Sequence, residues 1–389
     1  TDLFPWGFYD YSFIDITNRN RETATQELRL TRGVNIIGFY SSNVIESDSR
    51  KGWLFGGTAD SLNSKFTIKT LAGYYATKFQ LHNGIRIGFN LRLEKNSIKD
   101  SFSASSYGFD IPGFEKISSD ILIGSRIELG FKPNQNLLYS LSLSRGYKTA
   151  GINQSPNIGI KENLSNDLRE YESEYVYNAE SGFKLEDDKK NIALSLFYMK
   201  RNKPQVRLSY QLDPADPTSF DFYTINANRA YAYGIEWQFK LVLYKGLYIY
   251  NNFSLLKSHI SKYQFLGKTV GNREPAHAPE LMSSIGFDYS LFYGLYLKID
   301  HSAVSSYYFE DQYDFQSEPT QRINSTLGFR KNHFHFSIWI KNILNEKYVT
   351  RGYYFALEPT PNEPPHFFAK SYNSFSDPRH IGINVNYNF

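Results

Sequence analysis

The sequence predicts an all-β fold, a transmembrane antiparallel β-barrel, from three observations: the period of its segments, the rhythm of its connections, and its wealth of aromatic rings without matching oiliness. The period is clearest in the last thirteen residues, Asp377 to Phe389. There Ile381, Ile383, Val385, Tyr387 and Phe389 share one face of a strand, and Gly382, Asn384, Asn386 and Asn388 share the other. An apolar face backed by bare amides suits a wall between hydrocarbon and water, although a half-buried edge strand of a soluble sheet has the same period. Aromatic residues make up 17% of the chain, with 31 Tyr and 31 Phe, yet mean hydropathy is negative. Such amphipathic rings gather where one end is apolar and the other wet, as at membrane interfaces. No window approaches 18 consecutive apolar residues, so a membrane reading requires strands rather than helices.

The 389 residues suffice for several soluble domains or one large barrel. Cysteine is absent, which excludes a disulfide framework, a thiolate metal site and a thiol nucleophile. The 43 basic and 39 acidic residues leave a net charge of +4 with no block of five like charges, so no nucleic-acid partner is indicated. The opening Thr1-Asp2-Leu3-Phe4-Pro5-Trp6 lacks the basic region, apolar core and small-residue cleavage site of a signal peptide.

In chain order, Thr25 to Leu30 alternates, turns at Arg32-Gly33 and returns as Val34 to Tyr40, a hairpin. A looser stretch around Trp53 leads to Phe66–Phe79, a His82-Asn83-Gly84 turn and Ile85–Leu93. Asn-Gly between alternating runs is a strong hairpin signal. Short connections then take turns with long ones. The short ones are 132–136, 186–190, 244–246, 292–294 and 331–333; the long ones run roughly 96–118, 147–170, 202–222, 259–279, 307–320 and 344–379. Short turns at one rim and long loops at the other are the arrangement of outer-membrane barrels. Between them, Leu137, Tyr139, Leu141 and Leu143 alternate with serines, and Ile235, Trp237, Phe239, Leu241 and Leu243 with Glu236, Gln238 and Lys240. Phe334, Phe336, Ile338 and Ile340 oppose His335, Ser337, Trp339 and Lys341. Charges on the inward face are costly in a packed core and cheap in a watery lumen. About fifteen strands are expected. An odd number sends the first strand the same way as the last, so either a strand is missed or front strands are absent.

Several stretches resemble the TonB-dependent outer-membrane receptors. Trp339-Ile340-Lys341-Asn342-Ile343-Leu344-Asn345-Glu346-Lys347-Tyr348, followed by Arg351-Gly352-Tyr353-Tyr354-Phe355, is similar to the family's penultimate strand and the start of its final long loop. Leu143-Ser144-Arg145-Gly146-Tyr147-Lys148, Glu180-Ser181-Gly182-Phe183-Lys184, Tyr233-Gly234-Ile235-Glu236 and Pro275 to Pro279 resemble further family segments in family order. The resemblance implies the back part of a barrel of about 22 strands, with residues 1–389 as the C-terminal portion and no plug domain or TonB box visible. It also implies residence in the bacterial outer membrane, contact with its lipid, and uptake of a scarce ligand such as a ferric siderophore. The TonB complex would be reached only through a missing N-terminal plug, so such a chain is expected not to transport alone.

No nucleophile elbow, phosphate-cradling loop or His-Glu-x-x-His is present, so an enzyme is not expected. No cofactor is indicated: the eight His are scattered, and His277, beside Arg273 and Glu274, is a weak haem candidate. In the long loops, Arg273, His277, Arg351, Tyr353, Tyr354 and His366, with Phe367 and Phe368, suit an anionic, ring-bearing chelate by stacking and cation–π contact. Interfacial girdle and loop packing would use the same residues. Two alternatives stay open: a passive porin of about sixteen strands, and a soluble β-rich binding protein.

Overall fold

The computed structural model describes residues 13–54, 57–106, 108–155, 158, 164–213, 220–355 and 370–389. Fifteen strands hydrogen-bond in sequence order into one antiparallel sheet. They are β1 (Phe13–Arg32), β2 (Asn35–Leu54), β3 (Gly57–Gln80), β4 (Ile85–Ser106), β5 (Phe109–Asn134), β6 (Leu137–Lys148), β7 (Glu174–Glu186), β8 (Lys190–Asn202), β9 (Arg229–Tyr244), β10 (Leu247–Ile260), β11 (Leu281–Ser290), β12 (Leu295–Val304), β13 (Thr320–Lys331), β14 (Phe334–Lys341) and β15 (His380–Tyr387). Among the described residues β1 and β15 are the two ends of the sheet and do not pair with each other. With strictly alternating directions and an odd count, they run the same way.

The expected alternation runs as a band across all fifteen strands. Ile381, Ile383, Val385 and Tyr387 are 57–64% exposed on one face of β15, and Leu28, Phe39, Leu93, Ile127 and Leu141 are exposed likewise on strands far from it. A soluble sheet would bury these side chains against a second layer. Here they form one continuous apolar surface, the outward face of a membrane wall.

The turns that follow β1, β3, β5, β7, β9, β11 and β13 are all tight and lie at one rim, whereas at the other rim only β2–β3 and β4–β5 are joined by as few as two residues. Asn83 and Gly84 both have positive φ, 61° and 75°, the backbone that a two-residue hairpin needs and that Asn-Gly supplies cheaply. A Cβ on Gly84 would also sit 2.1 Å from the Lys132 carbonyl oxygen.

One expectation is corrected. Residues 96–118 are not a loop: β4 runs to Ser106 and β5 starts at Phe109, paired to the tip apart from one irregularity between Phe102 and Ala104. The Ser-, Lys- and Asn-rich composition conceals a period of two. Ile98, Asp100, Phe102 and Ala104 share the inner face and are buried. Gln154 donates to Asp100 at 2.9 Å, and Arg169 lies 3.9 Å over the Phe114 ring, so the 149–173 connection covers this extension.

On the inner face a second regularity appears. Four glycines stand directly opposite an aromatic residue on the neighbouring strand: Gly38 and Tyr74, Gly286 and Tyr250, Gly328 and Tyr296, Gly382 and Trp339. A Cβ on any of them would fall 2.1–2.2 Å from a ring atom. Each ring therefore lies flat across its neighbour's backbone, shielding ladder hydrogen bonds that a side chain there would push open.

Candidate functional site

At the rim opposite the tight turns, the long connections fold into a cap. The 203–228 connection forms a hairpin, Gln205–Gln211 with Phe220–Asn226. One face of it is apolar: Val206, Leu208 and Tyr223 are nearly inaccessible. They pack with Ile158, Leu164, Ile260, Tyr263, Phe265 and Val270 into a hydrophobic core shared by three connections and two strand ends. Asn153 stitches two of these connections, donating to the Leu168 and Thr224 carbonyls at 2.6 and 2.8 Å and accepting from the Thr224 amide at 2.9 Å. Glu174 anchors the hairpin to the sheet, accepting from Arg201 at 2.6 Å and from the Gln205 amide at 2.8 Å.

A second cluster joins the 261–280, 305–319 and 342–379 connections, with Arg273 at its centre. Its guanidinium lies 3.7 Å over the Tyr308 ring and donates to the Glu310 and Tyr313 carbonyl oxygens at 2.8 and 2.9 Å. The Asp314 carboxylate is 3.4 Å away, and the arginine side chain is only 11% exposed. His277 has φ 55° and packs its ring against Tyr307 and Phe309 at 5.5 and 6.2 Å, while its amide donates to the Tyr308 carbonyl at 2.9 Å. Across from them, Tyr354 stacks on Tyr313 at 4.0 Å, nearly parallel. Gly352 makes this fit possible, since a Cβ there would lie 2.6 Å from the Phe315 ring and 3.0 Å from that of Phe309. Burial raises the Glu310 carboxyl above its ordinary range, partly offset by a hydrogen bond from the Tyr354 amide.

The sequence-derived loop residues thus divide. Arg273, His277 and Tyr354 come together, but their polar and ring surfaces are spent on joining loops. Arg351 and Tyr353 are exposed on the Val349–Phe355 strand of the last connection, with Arg351 donating to the Tyr353 hydroxyl at 3.4 Å. His366, Phe367 and Phe368 lie outside the described residues. Sequence reading missed the Tyr307–Phe315 stretch, which supplies five rings and three carbonyl acceptors; its density of Tyr, Phe and Asp in nine residues was the available signal.

The inner wall carries its own polar belt. On β4, Arg92 donates to Glu94 through Nε and Nη2 at 2.9 and 2.7 Å, and the Tyr147 hydroxyl donates to the same Glu94 oxygen at 3.0 Å. Toward β1, Tyr74 bonds Glu27 and accepts from Arg29 at 3.2 Å. Among the described residues no group of three or more His, Cys, Asp or Glu could hold a metal ion.

Comparison with known proteins agrees with this architecture. Residues 3–343 match the family model described as TonB dependent receptor-like, beta-barrel. The ferric yersiniabactin uptake receptor FyuA from Yersinia pestis superposes with a TM-score of 0.76 at 20% identity, over 97% of this chain and 56% of that one. The siderophore receptor PiuA from Acinetobacter baumannii gives 0.65 at 13%, over 95% and 56%. The copper transporter OprC gives 0.67 at 11%, over 97% and 58%. The chain spans somewhat over half the length of these structures. With its outward apolar sheet and one-sided loops, and with most of its length matching the family's β-barrel, the chain belongs to the TonB-dependent receptor family.

Proposed function

We propose that residues 1–389 are the C-terminal portion of the wall of an outer-membrane receptor that takes up a scarce nutrient, foremost a ferric siderophore, under TonB-driven control. The observation that carries this reading is a sheet apolar outward and polar inward, with a folded cap at the long-loop rim. A wall alone has neither gate nor coupling, so the chain by itself does not transport actively. Its parallel-running ends also favour a larger wall over a self-contained porin, because an antiparallel porin would need β1 and β15 to pair. In the cap, the exposed Arg351 and Tyr353 are the ligand-facing groups, suited to an anionic chelate by charge and stacking.

The reading is tested in two steps. Ferric siderophores of catecholate, hydroxamate and carboxylate type are titrated against the detergent-solubilised chain, and quenching of intrinsic fluorescence is followed. Saturable binding of one class, weakened by Arg351→Ala and Tyr353→Ala, supports it; no class binding contradicts it. Reconstituted vesicles should show no energy-dependent uptake by this chain alone, and uptake would contradict its assignment as an incomplete wall.

A further inference from the structure

The outward face of β3 and β4 changes character abruptly on the way to the cap. Hydrogen-bond register places outward side chains in rows across β1–β5. The row Leu28, Phe39, Gly73, Leu93, Ile123 is wholly apolar or glycine. The next is Gln26, Ser41, Leu71, Lys95, Ile121, followed by Ala24, Asn43, Lys69, Ser97, Ser119. After these come Glu22, Ile45, Thr67, Lys99, Ile117 and then Asn20, Ser47, Lys65, Ser101, Glu115. Four successive rows therefore each carry one lysine, alternating between two adjacent strands. Neighbours in this zigzag sit at diagonal cross-strand positions, about 7–8 Å apart at Cα.

All four lysines are exposed. Lys99 is paired with Glu115 at 2.8 Å. Among the described residues no carboxylate lies within 4.0 Å of Lys65, Lys69 or Lys95. The inner face of the neighbouring β1 and β2 behaves oppositely. There Arg19 meets Asp48 at 2.6 Å, Arg50 meets Asp15 at 2.8 Å and Arg21 meets Glu46 at 3.9 Å. Lys95 also lies ten residues from the start of β4 at Ile85, and a tilted strand of about 9–11 residues crosses the hydrocarbon. Cations stacked this closely, three of the four without a carboxylate partner among the described residues, repel one another unless an external anion lies among them.

We propose that Lys95, Lys69, Lys99 and Lys65 form a docking stripe for the phosphate-bearing headgroups of the surrounding membrane leaflet. The partner follows from position and charge: the stripe faces away from the lumen, begins where the apolar band ends, and presents flexible ammonium groups at headgroup depth. The inference rests on the membrane reading above.

The test uses the full chain in neutral detergent, with phosphatidylglycerol or phosphatidylcholine retention measured by native mass spectrometry. The wild-type chain should prefer phosphatidylglycerol by about tenfold or more. A K65Q/K69Q/K95Q/K99Q variant should lose the preference, and a matched K132Q/K189Q/K190Q/K245Q variant at the tight-turn rim should keep it. The corresponding four-arginine variant should retain the preference, which separates charge from folding. Equal preference in the wild-type and glutamine chains would overturn the proposal, as would full displacement of the lipid by inorganic phosphate, which would assign the stripe to the free ion. A chain that enters neutral and anionic bilayers alike overturns the stripe but leaves the wall intact. A chain that stays dissolved without detergent removes both.

Discussion

The two flanks of the sheet reach beyond the membrane by different means. At the front, β1–β5 are 20–26 residues long, about twice what crossing needs, and β4 joins β5 through only two residues. At the back, β11–β15 have 8–12 residues, and the described residues beyond them are folded connection. Strand extension uses the repeating backbone ladder, which is stiff but chemically monotonous. The back flank instead invests in side chains, an arginine clamped between carbonyls and stacked tyrosines, beside the small hydrophobic core that the connections between β6 and β11 build at mid-sheet. The chemically varied surface is therefore concentrated at the back, and changes there should disturb the cap while leaving the sheet in place.

The largest effect should come from Arg273→Ala. It removes a cation–π contact and leaves the Glu310 and Tyr313 carbonyls without their donor, at a cost of about 3 kcal/mol or more from roughly 1–3 kcal/mol per unmatched group. Hydrogen exchange should accelerate across 261–280 and 305–319 and remain slow in β1–β5; acceleration throughout would erase the distinction between the flanks. Next, Leu208→Ala, at a position 2% exposed, should cost about 2–5 kcal/mol of cap stability, read by proteolysis within 203–228 while the strands resist. On the sheet itself, Leu141→Arg should reduce bilayer insertion by about 2–4 kcal/mol if the residue lies at mid-membrane, with the cap unchanged once the chain is inserted. Gly328→Val should cost about 1–3 kcal/mol, because the new side chain collides with Tyr296; a parallel Tyr296→Ala change should relieve much of that cost.

The smallest effect is one of pH. The folded state raises the Glu310 carboxyl above its ordinary 4.5, so the native cap binds that proton more tightly than the unfolded chain does. The ionised form opposes the cap at neutral pH, and this opposition fades as pH falls through the raised value toward 4.5. Exchange protection in 305–319 should therefore rise over that window in the wild-type chain and stay flat in Glu310→Gln.

Much of this was legible in the sequence because a membrane strand repeats a simple rule. The alternation of Leu137, Tyr139, Leu141 and Leu143 with serines needs no tertiary knowledge, and tight turns such as His82-Asn83-Gly84 punctuate it. The rule failed at 96–118, where small and charged residues carry the same period at lower contrast and the burying partner is some fifty residues further on. The glycine–aromatic pairs were equally hidden, since Gly38 and Tyr74 meet only through register. In the cap, single residues such as Arg273 and Tyr354 stood out by type, but their roles depend on loops from three places in the chain. Sequence spacing cannot say whether an arginine faces a ligand or a carbonyl.

The most direct test is a cysteine scan of Leu137 to Ser144, which the absence of native cysteine permits. Each single-cysteine chain is inserted into bilayers and given a nitroxide, and its relaxation by oxygen, enriched in hydrocarbon, is compared with that by a water-soluble nickel chelate. Labels at 137, 139, 141 and 143 should respond to oxygen and those at 138, 140, 142 and 144 to nickel. Two sets of labels shielded alike from both agents would mean that protein covers both faces, and the wall would be no wall.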